Sequence, residues 1–130
     1  MTRILVCGGR DYGTRMTEDG HIVVNTLEVE KLNSTLNEIR NQYPDLIIIQ
    51  GEARGADSLA RDWAHKNKIV TLSFPANWKA YGKSAGYRRN VQMLEEGKPD
   101  IVVAFPGGKG TEMMCEIART AGIPVLQINK

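Results

Sequence analysis

Five short runs of consecutive apolar residues constrain the fold of this chain more than any other feature: Arg3 to Cys7, Leu46 to Gln50, Ile69 to Ser73, Ile101 to Phe105 and Pro124 to Ile128. Each is β-rich and bounded by turn-forming residues. A strand with one wet face alternates apolar and polar side chains, whereas these runs are apolar on neighbouring positions. That pattern suits strands covered on both faces, as in a parallel sheet packed between helices. Helical periodicity fills the intervals. Val29, Leu32, Leu36, Ile39 and Tyr43 line one side of a helix from Asn25 to Gln42, which Pro44 stops. Ala56, Leu59, Ala60, Trp63 and Ala64 line a second, and Ser84 to Glu96 is a weaker third. Met114, Ile117, Ala118 and Ala121 line a last one, ending at Gly122 before Pro124. Alternating strands and helices imply right-handed crossovers and a Rossmann-like α/β fold: a doubly wound three-layer sandwich around a mainly parallel five-stranded sheet. Counting the five runs along the chain, the expected strand order is 3-2-1-4-5.

With 130 residues, 42% of them hydrophobic, the chain fits one domain spanning residues 1–130. Its 17 basic and 15 acidic side chains leave a formal charge of +2, spread along the sequence. Such a balance argues against a nucleic-acid partner held by its phosphate backbone. Cys7 and Cys115 lack the spacing of a metal site or disulfide framework, so reduced thiols and no metal or other cofactor are expected. The apolar stretch at the amino terminus is too short for a signal core or a membrane span, so a cytoplasmic protein without membrane contact is expected.

One segment breaks the strand-helix rhythm. About fifteen residues separate Gly8 from the first helix, and Asp19-Gly20 there lies between short β-capable runs. An inserted hairpin and an irregular surface loop both fit, over residues 13–24. Either would lie beside a ligand site at the strand ends.

In open parallel sheets the carboxyl ends of the strands diverge at the switch point and leave a crevice. The loops selected by that rule read Gly8-Gly9-Arg10-Asp11-Tyr12 and Pro106-Gly107-Gly108-Lys109-Gly110-Thr111. Glycines let backbone approach an anion closely, and a helix opening near Thr111 directs free amides and its positive dipole end to the same spot. The second loop is therefore a candidate phosphate cradle. Thr111 either caps the helix or gives its hydroxyl to phosphate, and Lys109 adds charge. A tight strand-to-helix turn explains one or two of these glycines, but not three in four positions. After the second run, Gly51-Glu52-Ala53-Arg54-Gly55-Ala56-Asp57 opens another helix toward the same edge. Arg54, held between glycines, can fork onto an anion. Asp57 is either a first-turn carboxylate favoured by the dipole, a partner for Arg54, or a ligand for a ribose hydroxyl. Trp78 to Asn90 interleaves aromatics, glycines and four cations. Trp78 and Tyr81 there either stack on a base or close the core.

Together Gly8 to Tyr12, Gly51 to Asp57, Ala85-Gly86-Tyr87-Arg88-Arg89-Asn90 and Ala104 to Thr111 resemble the YspA-like, YpsA-related branch of the SLOG superfamily. The resemblance covers nearly the whole chain apart from the inserted stretch. It implies a Rossmann-like domain that binds a nucleotide or nucleotide-derived ligand, in a setting connected with NAD, ADP-ribose and phage conflict. Gly8, Gly9, Arg10, Gly51, Arg54, Gly55, Asp57, Arg89, Asn90 and Pro106 to Thr111 are its candidate ligand-binding residues. Relatives with this fold commonly pair, so a homodimer or higher homo-oligomer is expected.

The superfamily also holds the Lonely Guy phosphoribohydrolases, whose Pro-Gly-Gly-x-Gly-Thr-x-x-Glu loop this chain matches until its last position. Met114 stands where those enzymes have glutamate. Glu112 and Glu116 lie about 200° around the helix, at ~100° per residue. Without that acid, binding is favoured over N-glycosidic hydrolysis. The enzymatic alternative uses Arg88 or Arg89 on phosphate, with Asp11 or Glu52 as the acid. Asp57 is a further carboxylate on these loops. Single-stranded DNA binding, by likeness to the DprA Rossmann domain, is disfavoured by the balanced charge.

Overall fold

A computed structural model describes residues 1–129 and shows an α/β chain built around a five-stranded, all-parallel sheet. In chain order the elements are β1 (Arg3–Cys7), β2 (Thr14–Met16), β3 (Ile22–Val24), α1 (Thr26–Gln42), β4 (Ile47–Gln50) and α2 (Ala56–Lys66). There follow β5 (Thr71–Ser73), α3 (Trp78–Tyr81), a 3-10 turn (Gly82–Ser84), α4 (Ala85–Gly97), β6 (Ile101–Ala104), α5 (Lys109–Thr120) and β7 (Val125–Gln127). The sheet order is β5-β4-β1-β6-β7, which is the expected 3-2-1-4-5 arrangement of the five apolar runs.

The consecutive apolar residues are explained by two cores. Ile4, Val6, Ile48 and Val103 pack with Leu32, Leu36 and Trp63 of α1 and α2 on one face. Leu5, Ile49, Val102 and Ala104 pack with Met93, Met114 and Ala118 of α4 and α5 on the other. Successive side chains of one strand thus point into different cores. β1 pairs in parallel with both β4 and β6, and its carboxyl end marks the switch point.

The insertion is a hairpin. β2 and β3 pair antiparallel, Met16 opposite Ile22, around a turn in which Gly20 has a positive φ. Asn25 caps α1 by accepting from the Glu28 amide, and Glu28 accepts from the Gly13 amide, so the insertion is tied to the helix it precedes. Two boundaries differ from expectation. The connection after β5 forms α3 and a 3-10 turn, pieces too short to show a period. The last helix opens at Lys109, two residues before Thr111, with Gly108 as its N-cap. No helix among the described residues is long and apolar enough to cross a membrane.

Candidate functional site

The loops after β1 and β6 meet directly: the Gly9 amide donates to Pro106 O at 2.9 Å. Their approach needs glycine. A Cβ on Gly107 would stand 2.7 Å from Gly9 N and also strike Thr111 Oγ1, and one on Gly8 would stand 2.6 Å from Ala56 Cβ. The loop after β4 docks on the same strand end. The Ala56 amide donates to Gly9 O, and Gly55, at φ +83°, turns the chain where a Cβ would stand 2.6 Å from Arg10 C.

These loops frame a cavity of about 510 Å³. Gly8, Gly9 and Arg10 form one wall, Gly108 to Thr111 a second, and Trp78, Gly86, Tyr87, Arg89 and Asn90 a third; Asp57 and Ala53 complete it. A Cβ on Gly108 or Gly110 would meet nothing within 4 Å, so this backbone fronts open space. The first amide of α5 with an acceptor inside the helix is that of Glu112, bonded to Gly108 O. The amides of Lys109, Gly110 and Thr111 precede the helical ladder. Thr111 lies within the first turn, with Gly108 rather than Thr111 at the N-cap, so of the two roles read for it capping is not the one made, and it lines the cavity.

The other glycine-flanked helix start is filled by the chain itself. Asp57 Oδ2 accepts from the Gly51 amide at 3.1 Å and from the Ala53 amide at 3.3 Å. Burial pushes the Asp57 carboxyl up to about 6, against the pull of Arg89 and those amides. Arg89 is anchored by Nη1 donating to Gly51 O and Nε donating to Asn90 Oδ1, and burial pulls its pKa down. Asn90 in turn donates to Gly110 O at 3.3 Å and to Met113 Sδ at 3.2 Å, fixing α4 against the start of α5.

Arg54, Asp11, Glu52 and Arg88 do not line this cavity. Arg54 pairs with Asp11 at 3.1 Å, both largely exposed. Arg54 lines an adjoining cavity of about 400 Å³ with Arg10, Gly51, Glu52, Pro75, Trp78 and Arg89. Glu52, at φ +60°, accepts from Ser73 and Gln50 and pairs with Arg61; those hydrogen bonds hold its carboxyl below the usual range. Arg88 stacks 4.5 Å from the Tyr81 ring centre and donates to Ser84. It is Arg89, one position on, that lines the cavity. Among the described residues no cluster of His, Cys, Asp and Glu side chains suits a metal ion.

Sequence reasoning missed three features. Arg10 lies 5.3 Å from the Trp78 ring centre, so a loop cation and the post-β5 segment form one rim. Met93, Met113 and Cys7 add a sulfur-rich lining to the cavity. Cys7 and Cys115 share one buried cluster, and the neighbouring thiol, then burial, pushes Cys7 well up while Cys115 falls to about 7. Only the helical stripe through Met114 hinted at the second of these. The pairing of sites far apart in sequence carries no local signal.

A family model described as the YspA, cpYpsA-related SLOG family matches residues 2–81. The chain is also 31% identical over 133 positions to the Gene 61 protein of Mycobacterium phage D29, an alignment covering 97% of this chain and 95% of that protein.

Proposed function

The chain belongs to the YspA, cpYpsA-related SLOG family, and from that premise we propose that it binds a nucleotide or nucleotide-derived molecule as a sensor, carrier or sequestering protein. The observation that carries this is the start of α5. Its free amides and the bare backbone of Gly108 and Gly110 front a cavity of about 510 Å³ that Arg10 and Arg89 also line. A helix N-terminus with flanking guanidinium groups suits a phosphate. The walls formed by Trp78, Tyr87 and Met93 supply apolar surface for a base. An NAD- or ADP-ribose-related compound, or a mononucleotide, has both parts.

Binding rather than cleavage is supported by the carboxylates. Met114, buried in the core and edging the cavity, stands where related hydrolases carry their acid; Asp11 and Glu52 do not line the cavity, and Asp57, the carboxylate that does, is held through Oδ2 by the Gly51 and Ala53 amides. Self-association beside the site belongs to the same proposal; light scattering that returns only monomer removes it. The test of ligand class is a thermal-shift panel of mononucleotides, dinucleotides, NAD, ADP-ribose and cyclic nucleotides, because a ligand of the folded state raises the melting temperature. Binders are expected among phosphorylated compounds, with nucleosides inactive. A panel in which no phosphorylated compound moves the transition overturns the proposal.

A further inference from the structure

One carboxylate of the large cavity has an oxygen to which the chain brings no donor. Asp57, in the first turn of α2, is only 6% exposed, and its two hydrogen bonds, from Gly51 N and Ala53 N, both fall on Oδ2. Among the described residues no donor reaches Oδ1. The neighbouring guanidinium of Arg89 instead directs Nη1 to Gly51 O and Nε to Asn90. Oδ1 is not sealed inside the protein, since the buried side-chain polar atom left without a partner among the described residues is Thr71 Oγ1. Asp57 lines the cavity, so a donor carried by a ligand can reach this oxygen, and a hydrogen bond to a carboxylate is among the stronger ones.

We propose that Asp57 Oδ1 accepts a hydrogen bond from a hydroxyl of the ligand's sugar, so that the protein selects ribonucleotides over their 2′-deoxy counterparts. The inference rests on the nucleotide proposal above and deepens it. A carboxylate accepts and does not donate, so it repels phosphate and requires an O–H or N–H. Its place in the fold favours the sugar. α5 follows β6 and α2 follows β4, with β1 between them. Two strand spacings, about 10 Å, therefore separate the α5 amides from the α2 side. The ground between is Gly8 and Gly9, which have no side chains to obstruct it. A phosphate on the α5 amides lays the attached sugar over these glycines with its hydroxyl edge toward Asp57. The base is then left to the walls formed by Trp78, Tyr87 and Met93.

The test measures affinities of the whole protein for the 5′-monophosphates of adenosine, inosine, cytidine and uridine, their 2′-deoxy and 2′,3′-dideoxy forms, and inorganic phosphate. Loss of a hydrogen bond to a charged group predicts about tenfold or more weaker binding when the hydroxyl is removed. Asp57→Asn is expected to reduce that ratio to within about threefold while still binding inorganic phosphate. Equal binding of ribo and deoxy forms overturns the inference, as does a preference that survives in Asp57→Asn. Affinity that follows the exocyclic amine, adenine over hypoxanthine and cytosine over uracil, with no dependence on the hydroxyls overturns it in favour of a base contact. If no nucleotide and no phosphate binds, the nucleotide proposal itself fails and takes this one with it. Should Asp57→Asn not fold, the comparison of ribo, deoxy and dideoxy probes on the unaltered protein decides the question alone.

Discussion

A Cβ added to Gly107 would stand 2.7 Å from Gly9 N and 3.0 Å from Gly8 C, whereas one added to Gly108 meets nothing within 4 Å. The two neighbours therefore have opposite requirements, one for packing and the other for open space at the cavity. Gly107→Ala forces apart the β1 and β6 loops and should lower stability by about 1–3 kcal/mol, the usual cost of overpacking. Gly108→Val should leave the urea midpoint nearly unchanged while abolishing phosphate-dependent thermal shift; a variant that binds as well as the parent removes the cradle assignment. At Asp57 the residue scale also carries a pH signature. Its carboxyl is raised from 3.8 to about 6 by burial, so the folded state holds this proton more tightly than the unfolded chain does. The linked stability is fully present below the unfolded value and is lost as pH rises through about 6. Between pH 7 and pH 4 the parent should gain about 2 kcal/mol relative to Asp57→Asn, at 1.36 kcal/mol per unit. Urea titrations of both proteins across that range measure it, and parallel pH profiles would contradict the burial that raises the carboxyl.

At the scale of elements, α1 begins where Asn25 accepts from the Glu28 amide and Glu28 reaches back to the Gly13 amide. Asn25→Ala should cost about 1 kcal/mol, the ordinary worth of an N-cap, and should also loosen the β2–β3 hairpin, detectable as faster amide exchange at residues 14–24. Unaltered exchange there would mean that the hairpin holds itself. The long elements were legible because two-sided burial writes itself as consecutive apolar residues, and one-sided burial as the stripe through Leu32, Leu36 and Ile39. Their order followed from crossover handedness and from where the glycine loops fall. α3 and its 3-10 turn were not legible, since four and three residues are too short for a period and none of them is buried. The glycine-rich loop after β6 could be read as a candidate cradle because glycine requirements are local. Which arginine faces the cavity could not: Arg88 and Arg89 differ only by their turn around α4, and the choice is made by Gly51 and Asn90, which hold Arg89 inward. Nor could the partner of Arg54 be read: its guanidinium pairs with Asp11 and lines an adjoining cavity that shares Arg10, Trp78 and Arg89 with the larger one.

Across the whole molecule, the two cores are built from alternate residues of the same strands. Ile4 and Val6 of β1, Ile48 of β4 and Val103 of β6 serve one face, while Leu5 and Cys7, Ile49, and Val102 and Ala104 serve the other. Neither core can come apart without unpairing strands that hold the other, so residues 1–130 should unfold in one cooperative step. Trp63 makes this testable. It is 4% exposed between α1 and α2 and donates Nε1 to Asn37 at 2.9 Å, so its emission reports the first face. Trp78, 48% exposed at the cavity rim, would blur that signal and is replaced by phenylalanine for the measurement. Far-UV ellipticity sums both faces, α4 and α5 included. In urea the two signals should share one midpoint, and a bound nucleotide should raise both together, because the site takes Asp57 from α2 on one face and the start of α5 from the other. A ligand that shifts ellipticity while leaving the Trp63 midpoint in place would mean that the faces unfold separately and that the site belongs to one of them.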